Sequence, residues 1–208
     1  MKEKPELEPK RNRGVSRRGF IGRVGIGSGA LTSGVLTEAA QGQTPAGVMG
    51  PGAVSISLTL NGKPVKLEVE PRVTLLDALR DRLDMTGAKK VCDRGTCGAC
   101  TVLMDGKAVY ACSILAVDAQ GKQIQTVESL TANNPVVKAF VDNDAQQCGY
   151  CTPGFVMATT AFLKKNPNPS YEDVNTGLGG NLCRCGTYFD VRKAVLQAAK
   201  DVKGGKNG

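Results

Sequence analysis

From Val54 to Leu60 the chain alternates apolar and polar positions, with Ile56, Leu58 and Leu60 on one side of the alternation. A period of two is that of a strand with one face buried. Asn61-Gly62 is a tight-turn signal, and Val65, Leu67 and Val69 carry the alternation back until Pro71, so a hairpin is predicted. The period then changes. Leu75, Leu76, Leu79 and Leu83 form one stripe of a helix, with Thr74 as its N-cap and Asp77 as the capping-box partner. A cysteine-rich loop follows at Cys92–Cys100. Thr101–Met104 and Ala108–Ala111 flank Asp105-Gly106 as a second hairpin, and Ile124–Val127 reads as a last strand.

Beyond residue 134 the spacing is helical. Pro135–Asn143 carries Val136, Val137 and Phe140. Thr152-Pro153 reads as an N-cap with proline at the first helical position, opening a helix whose face holds Phe155, Thr159, Phe162 and Leu163. Ser170 with Asp173 is a further capping box. A last helix starts at Asp190, with Val191, Ala194, Val195, Ala198, Ala199 and Val202 on one stripe. The pattern predicts an α+β protein in two modules: residues 54–130 built of strands and one helix, and residues 134–203 built as a small four-helix bundle.

Residues 1–45 read differently, as a leader. Ser16-Arg17-Arg18-Gly19-Phe20-Ile21 is a twin-arginine signature, followed by a mildly apolar glycine-rich stretch to about Leu36 and small residues around Ala39–Ala46 that suit cleavage. Arg23 and the glycines make that stretch a poor membrane span, so no stable membrane insertion is expected of the mature chain. The expected location is the periplasm, reached in a folded state. Gly25-Ile26-Gly27-Ser28-Gly29-Ala30 imitates a dinucleotide fingerprint, but no strand precedes it.

The net charge of +8 is split between the leader (eight Lys/Arg against four Asp/Glu) and the remaining 163 residues (nineteen against fifteen). A +4 body without a basic stripe interleaved with aromatics points away from nucleic acid. The absence of histidine removes Ser-His-Asp triads, Cys-His nucleophiles, His-bearing zinc sites and Rieske ligation.

What remains is sulfur. The eight cysteines fall into two tetrads, Cys92, Cys97, Cys100 and Cys112, then Cys148, Cys151, Cys183 and Cys185. The first opens with C-x4-C-x2-C, the spacing by which plant-type ferredoxins hold a [2Fe–2S] cluster. No catalytic residue is expected in this chain; the eight thiols are candidate iron ligands for two such clusters. An oxidised cluster with four thiolates carries −2, so burying it needs nearby donors. Gly95 and Gly98 let backbone N–H groups curl toward the sulfurs, while Lys89, Lys90 and Arg94 either strengthen the positive field or form a solvated face. Both close cysteine pairs of the second tetrad precede helix starts, where free N–H groups favour an anion. Disulfides are the rival in an oxidising compartment, though Cys183-Arg184-Cys185 is cramped for that use. Zinc is the other rival, but it favours paired CxxC knuckles.

The first module resembles the β-grasp fold of plant-type ferredoxins, with a shorter gap from Cys100 to Cys112 than those carriers have. Gln147-Cys148-Gly149-Tyr150-Cys151-Thr152-Pro153-Gly154 and Gly180-Asn181-Leu182-Cys183-Arg184-Cys185-Gly186-Thr187-Tyr188 resemble the second-cluster motifs of the molybdenum hydroxylases, the xanthine oxidase and aldehyde oxidoreductase family. The resemblance covers about residues 54–202. It implies a small iron–sulfur subunit that relays electrons from a large molybdenum-binding catalytic subunit to an external acceptor, a flavin subunit or a cytochrome c. It further implies that Cys185 and Gln147 contact the pterin cofactor held by that partner. The alternative is a stand-alone two-cluster ferredoxin-type carrier.

Overall fold

The structure, a computed structural model, describes residues 49–204; the predicted leader, with its twin-arginine signature, lies outside the described residues. From Met49 onward the chain forms one compact unit in which the strand-bearing and helical parts are packed together.

The first alternating segments become β1, Val54–Leu60, and β2, Lys63–Val69, joined through Asn61 and Gly62 at φ 50° and 80°. Positive φ at both central residues is what a right-twisted two-residue hairpin requires, and Asn and Gly accept it with little strain. The second hairpin repeats the device. β3, Thr101–Met104, and β4, Lys107–Tyr110, turn at Asp105 and Gly106, φ 49° and 78°. β5, Gln123–Gln125, lies between the two hairpins, parallel to β1 and antiparallel to β3, giving the order β2-β1-β5-β3-β4. Asn61 also ties the sheet to the following segment: its amide donates to Thr126 Oγ1 at 2.9 Å and accepts from Thr126 N at 2.8 Å.

The leucine stripe forms α1, which starts as a regular turn at Leu75–Asp77 and widens into a π turn at Ala78–Arg82. Leu75, Leu76 and Leu79 are fully buried beneath the sheet residues Ile56, Leu58 and Val69. The widened turn ends the helix early, so Leu83 falls just beyond it and is half-buried. Thr74 caps Asp77 N at 3.1 Å, but the Asp77 carboxylate bonds the Thr74 hydroxyl and Lys90 Nζ, so the predicted capping box forms through side chains.

The helical part comprises α2, Pro135–Asp142, α3, Thr152–Lys165, α4, Tyr171–Gly177, and α5, Tyr188–Gly204. Asn134 caps α2 through Val136 N and Val137 N, and Ser170 with Asp173 closes the full capping box of α4. Two starts differ from the expected ones. Cys151, not Thr152, occupies the N-cap of α3, and the buried Thr152 hydroxyl has no hydrogen-bond partner among the described residues. α5 begins at Tyr188, two residues before Asp190, because Tyr188 packs edge-on against Phe155 and extends the helix inward. Val136, Phe140, Phe155, Val191 and Val195 fill the helical core. The two parts share a third, smaller core, where Leu103 of β3 meets Met157 and Ala161 of α3.

Candidate metal centres

The first tetrad sits at the end of the sheet, where the first turn of α3 lies against Gly98 and Ala99 of its loop. Cys92, Cys97 and Cys100 lie on the loop between α1 and β3, and Cys112 on a 3-10 turn, Ala111–Ser113, just past β4. The loop is shaped by Asp93 at φ 54°, Gly95 at 69° and Gly98 at 68°. Gly95 meets its expected role, with its N–H 3.3 Å from Cys112 Sγ, and Thr96 N lies 3.4 Å from Cys92 Sγ. Gly98 serves a different purpose. Its carbonyl receives Thr101 N, Thr101 Oγ1 and, from the far side, Asn181 Nδ2.

All eight cysteines are free thiols, so the disulfide alternative has no support in this geometry. The thiols interact most directly in pairs, Cys92 with Cys97, Cys100 with Cys112, Cys151 with Cys183, and Cys148 with Cys185, while the charges of Cys97 on Cys100, Cys148 on Cys151 and Cys183 on Cys185 link the pairs within each tetrad. Among the described residues no three acidic or thiol side chains converge on one ion position. A mononuclear zinc gathers four donors around one point, whereas a two-iron rhomb takes two thiolates at each end. The donor set therefore fits a [2Fe–2S] centre in each tetrad.

The protonation states follow the surroundings. The Thr96 hydroxyl, reinforced by backbone N–H groups, holds the Cys92 thiol down at about 6. Burial pushes Cys183 up, but the Thr187 hydroxyl and the N–H groups of Thr187 and Gly186 outweigh it, leaving it at about 7. Burial drives Cys100 and Cys151 up to about 12. Cys92 and Cys183 thus lose their protons readily near neutral pH, whereas metal binding must displace the protons of the buried Cys100 and Cys151. Thr96 and Thr187 were not singled out from sequence; a hydroxyl residue within four positions of a cysteine is the signal that points to them.

The second tetrad is graded from solvent to interior. Cys148, Cys185 and Gln147 are exposed, Cys151 is half-buried, and Cys183 is buried in the helical core. Of the basic residues near the first loop, Lys90 is neutralised by Asp77 at 2.7 Å and Asp93 at 3.3 Å. Arg94 bonds the Cys92 carbonyl, and Lys89 lies 5.7 Å over the Tyr150 ring.

Between the tetrads runs a seam that the sequence did not announce. Leu182 N donates to Cys97 O at 2.9 Å, Asn181 Nδ2 to Gly98 O at 2.9 Å, and Tyr110 Oη to Gly180 O at 2.8 Å. Burial, then the charges of Cys100, Cys97 and Cys92, raise the Tyr110 hydroxyl, which keeps it a donor. Beside the seam a cavity of about 400 Å³ opens toward Cys97, Cys148 and Cys183. Its rim includes Val91, Tyr150 and Leu182, which are 55%, 51% and 51% exposed. Large apolar side chains gathered at such exposure mark an interaction surface.

The comparisons agree with this anatomy. Residues 58–131 match the model of the 2Fe-2S iron-sulfur cluster binding domain, and residues 126–196 that of the [2Fe-2S] binding domain. The nicotine 6-hydroxylase small subunit of Paenarthrobacter nicotinovorans is 46% identical, over 74% of this chain and 94% of that subunit. The aldehyde oxidoreductase iron-sulfur-binding subunit PaoA of Escherichia coli O157:H7 is 40% identical, over 76% of this chain and 77% of its own length. Among solved structures, the aldehyde oxidoreductase of Desulfovibrio desulfuricans ATCC 27774 superposes with a TM-score of 0.69 at 39% identity, covering 72% of this chain but 17% of that one.

Proposed function

The chain belongs to the iron–sulfur small subunits of the molybdenum hydroxylases, and from that membership we propose the roles of its individual residues. It is an electron-transfer subunit carrying two [2Fe–2S] clusters, it performs no substrate chemistry itself, and it works with a large molybdenum-bearing catalytic subunit. In the Desulfovibrio enzyme the comparable segment is 17% of a single polypeptide, which accords with a catalytic portion supplied here by a separate chain.

Each cluster, when bound, supplies one-electron redox chemistry. Cys92, Cys97, Cys100 and Cys112 hold one, and Cys148, Cys151, Cys183 and Cys185 the other. The observation that carries the placement of the large subunit beside the second tetrad is that tetrad's exposure gradient. Its outer pair, Cys148 and Cys185, faces the large subunit beside Gln147, and its inner pair, Cys151 and Cys183, is set into the helical core beside a cavity shared with Cys97. With molybdenum in the large subunit, electrons enter at the outer pair and leave through the first tetrad. Cys185 and Gln147 contact the pterin of the partner, and Val91, Tyr150 and Leu182 form part of the contact with that subunit. The acceptor is a flavin subunit or a cytochrome c, distinguished by whether a flavin chain co-purifies or the substrate-reduced holoenzyme reduces added cytochrome c.

Gln147→Ala in the holoenzyme tests the assignment: iron content should stay at wild type while the molybdenum EPR signal shifts and turnover falls. An unaltered molybdenum spectrum and rate would remove Gln147 from the site. The leader supports export in a folded state to the periplasm through Ser16-Arg17-Arg18-Gly19-Phe20-Ile21. The doubly substituted R17K/R18K chain should then accumulate, iron-loaded, in the cytoplasm.

A further inference from the structure

We propose that Asn181, assisted by Tyr110, is a positioning residue that fixes the separation of the two cysteine tetrads and so governs electron exchange between them. This rests on the reading that both tetrads hold clusters.

Three consecutive residues of the second-tetrad loop cross to the first module: Tyr110 Oη donates to Gly180 O, Asn181 Nδ2 to Gly98 O and Thr101 Oγ1, and Leu182 N to Cys97 O. The four bonds end close to cysteines on both sides. Asn181 is two residues before Cys183, Gly98 follows Cys97 directly, and Tyr110 is two residues before Cys112. A displacement of either strand of the seam therefore moves ligands of both tetrads at once. Asn181 is 5% exposed, and both partners of its amide N–H group belong to the opposite module. Gly98 O keeps Thr101 N and Thr101 Oγ1 without that amide, so what its removal takes away is the bond between the modules, and while the amide stays buried its N–H group has partners only in this register.

Steric contacts set the closeness of the same seam. A Cβ on Gly98 would meet Asn181 Nδ2 at 2.6 Å, and one on Gly180 would meet Tyr110 Oη at 2.1 Å. The glycines bring the backbones together, and the asparagine and tyrosine hold them there. Grooves of about 310 and 250 Å³ open on the two sides of Asn181, so the neighbouring walls offer room for the loops to drift once its amide is gone. In the exchange, the electron lost at one tetrad is the electron gained at the other, and no bond or proton moves. Its rate depends on separation, which is what the clamp sets.

The test uses the holoenzyme with its large subunit and the substitutions Asn181→Ala and Tyr110→Phe. Both should keep about four irons per chain, two per cluster, and each cluster's own EPR g-values. The magnetic interaction between the two reduced clusters should weaken, because dipolar coupling falls with the cube of distance. Rapid-mixing reduction should show exchange slowed severalfold in Asn181→Ala and less in Tyr110→Phe. Full iron with unchanged coupling and unchanged exchange in both variants overturns the proposal and leaves Asn181 a packing residue. Should Asn181→Ala lose iron, Tyr110→Phe alone decides by the same two readings, since it removes one hydroxyl and keeps the ring. A wild-type holoenzyme showing one cluster signal instead of two would overturn the underlying reading, and this proposal with it, before any variant is compared.

Discussion

Gly154 lets the first turn of α3 lie directly on the backbone of the first cysteine loop. A Cβ there would meet Gly98 O at 2.4 Å and Ala99 Cα at 3.0 Å, and backbone on both sides leaves no side chain to yield. Gly154→Ala should destabilise the protein by about 1–3 kcal/mol, the usual cost of overpacking, read as a lower melting temperature and faster iron loss. At this scale the sequence was informative where chemistry and backbone coincide. Eight thiols with no histidine narrowed the candidates to sulfur ligation, and Asn-Gly and Asp-Gly announced their turns. It was silent where one residue type has several uses. Gly98 could be read as a donor to sulfur, yet its carbonyl is the atom that matters, because Asn181, 83 positions away, comes to it.

The elements followed their periodicity, and their ends followed local chemistry less faithfully. Ser170 and Asp173 cap each other reciprocally, with Asp173 N to Ser170 Oγ at 3.1 Å and Ser170 N to Asp173 Oδ2 at 2.8 Å. The Ser170 N–H and hydroxyl hold the Asp173 carboxyl below its ordinary range. Its support for α4 is therefore present at neutral pH and is lost as pH falls through that lowered value. Ser170→Ala at pH 7 should cost about 1 kcal/mol, a drop of about 2–4 °C in melting temperature for a chain of this size. Thr152 shows the limit of such reasoning. Thr-Pro is a sound start signal, but packing against the cysteine loop draws Cys151 into the cap and leaves the threonine hydroxyl buried without a partner. The π turn in α1 likewise has no signature in the leucine spacing.

In the whole molecule, the two modules form one body through β3 and α3 and through the seam at Gly180–Leu182. That rigidity suits a relay, in which distance between centres must not wander. The exposed apolar rim at Val91 and Tyr150 is the complementary feature, the surface proposed above for the contact with the large subunit. Tyr150→Ser should weaken assembly with the large subunit by about tenfold in Kd, or 1.4 kcal/mol, while iron content stays at the wild-type value. Titrating labelled large subunit against the variant checks this, and unchanged affinity would place the docking face elsewhere.

By itself the sequence determined the chemistry, the order of the modules and the family, because ligand identity and spacing are written locally and a strand or helix declares its period within a dozen residues. The tertiary structure alone decided which thiols interact in pairs, which cysteines face solvent, and which bonds join the loops of the two tetrads. Those outcomes depend on contacts between residues far apart in the chain, such as Asn181 with Gly98 and Leu182 with Cys97. No local pattern encodes such contacts, since each depends on two elements packing in one register.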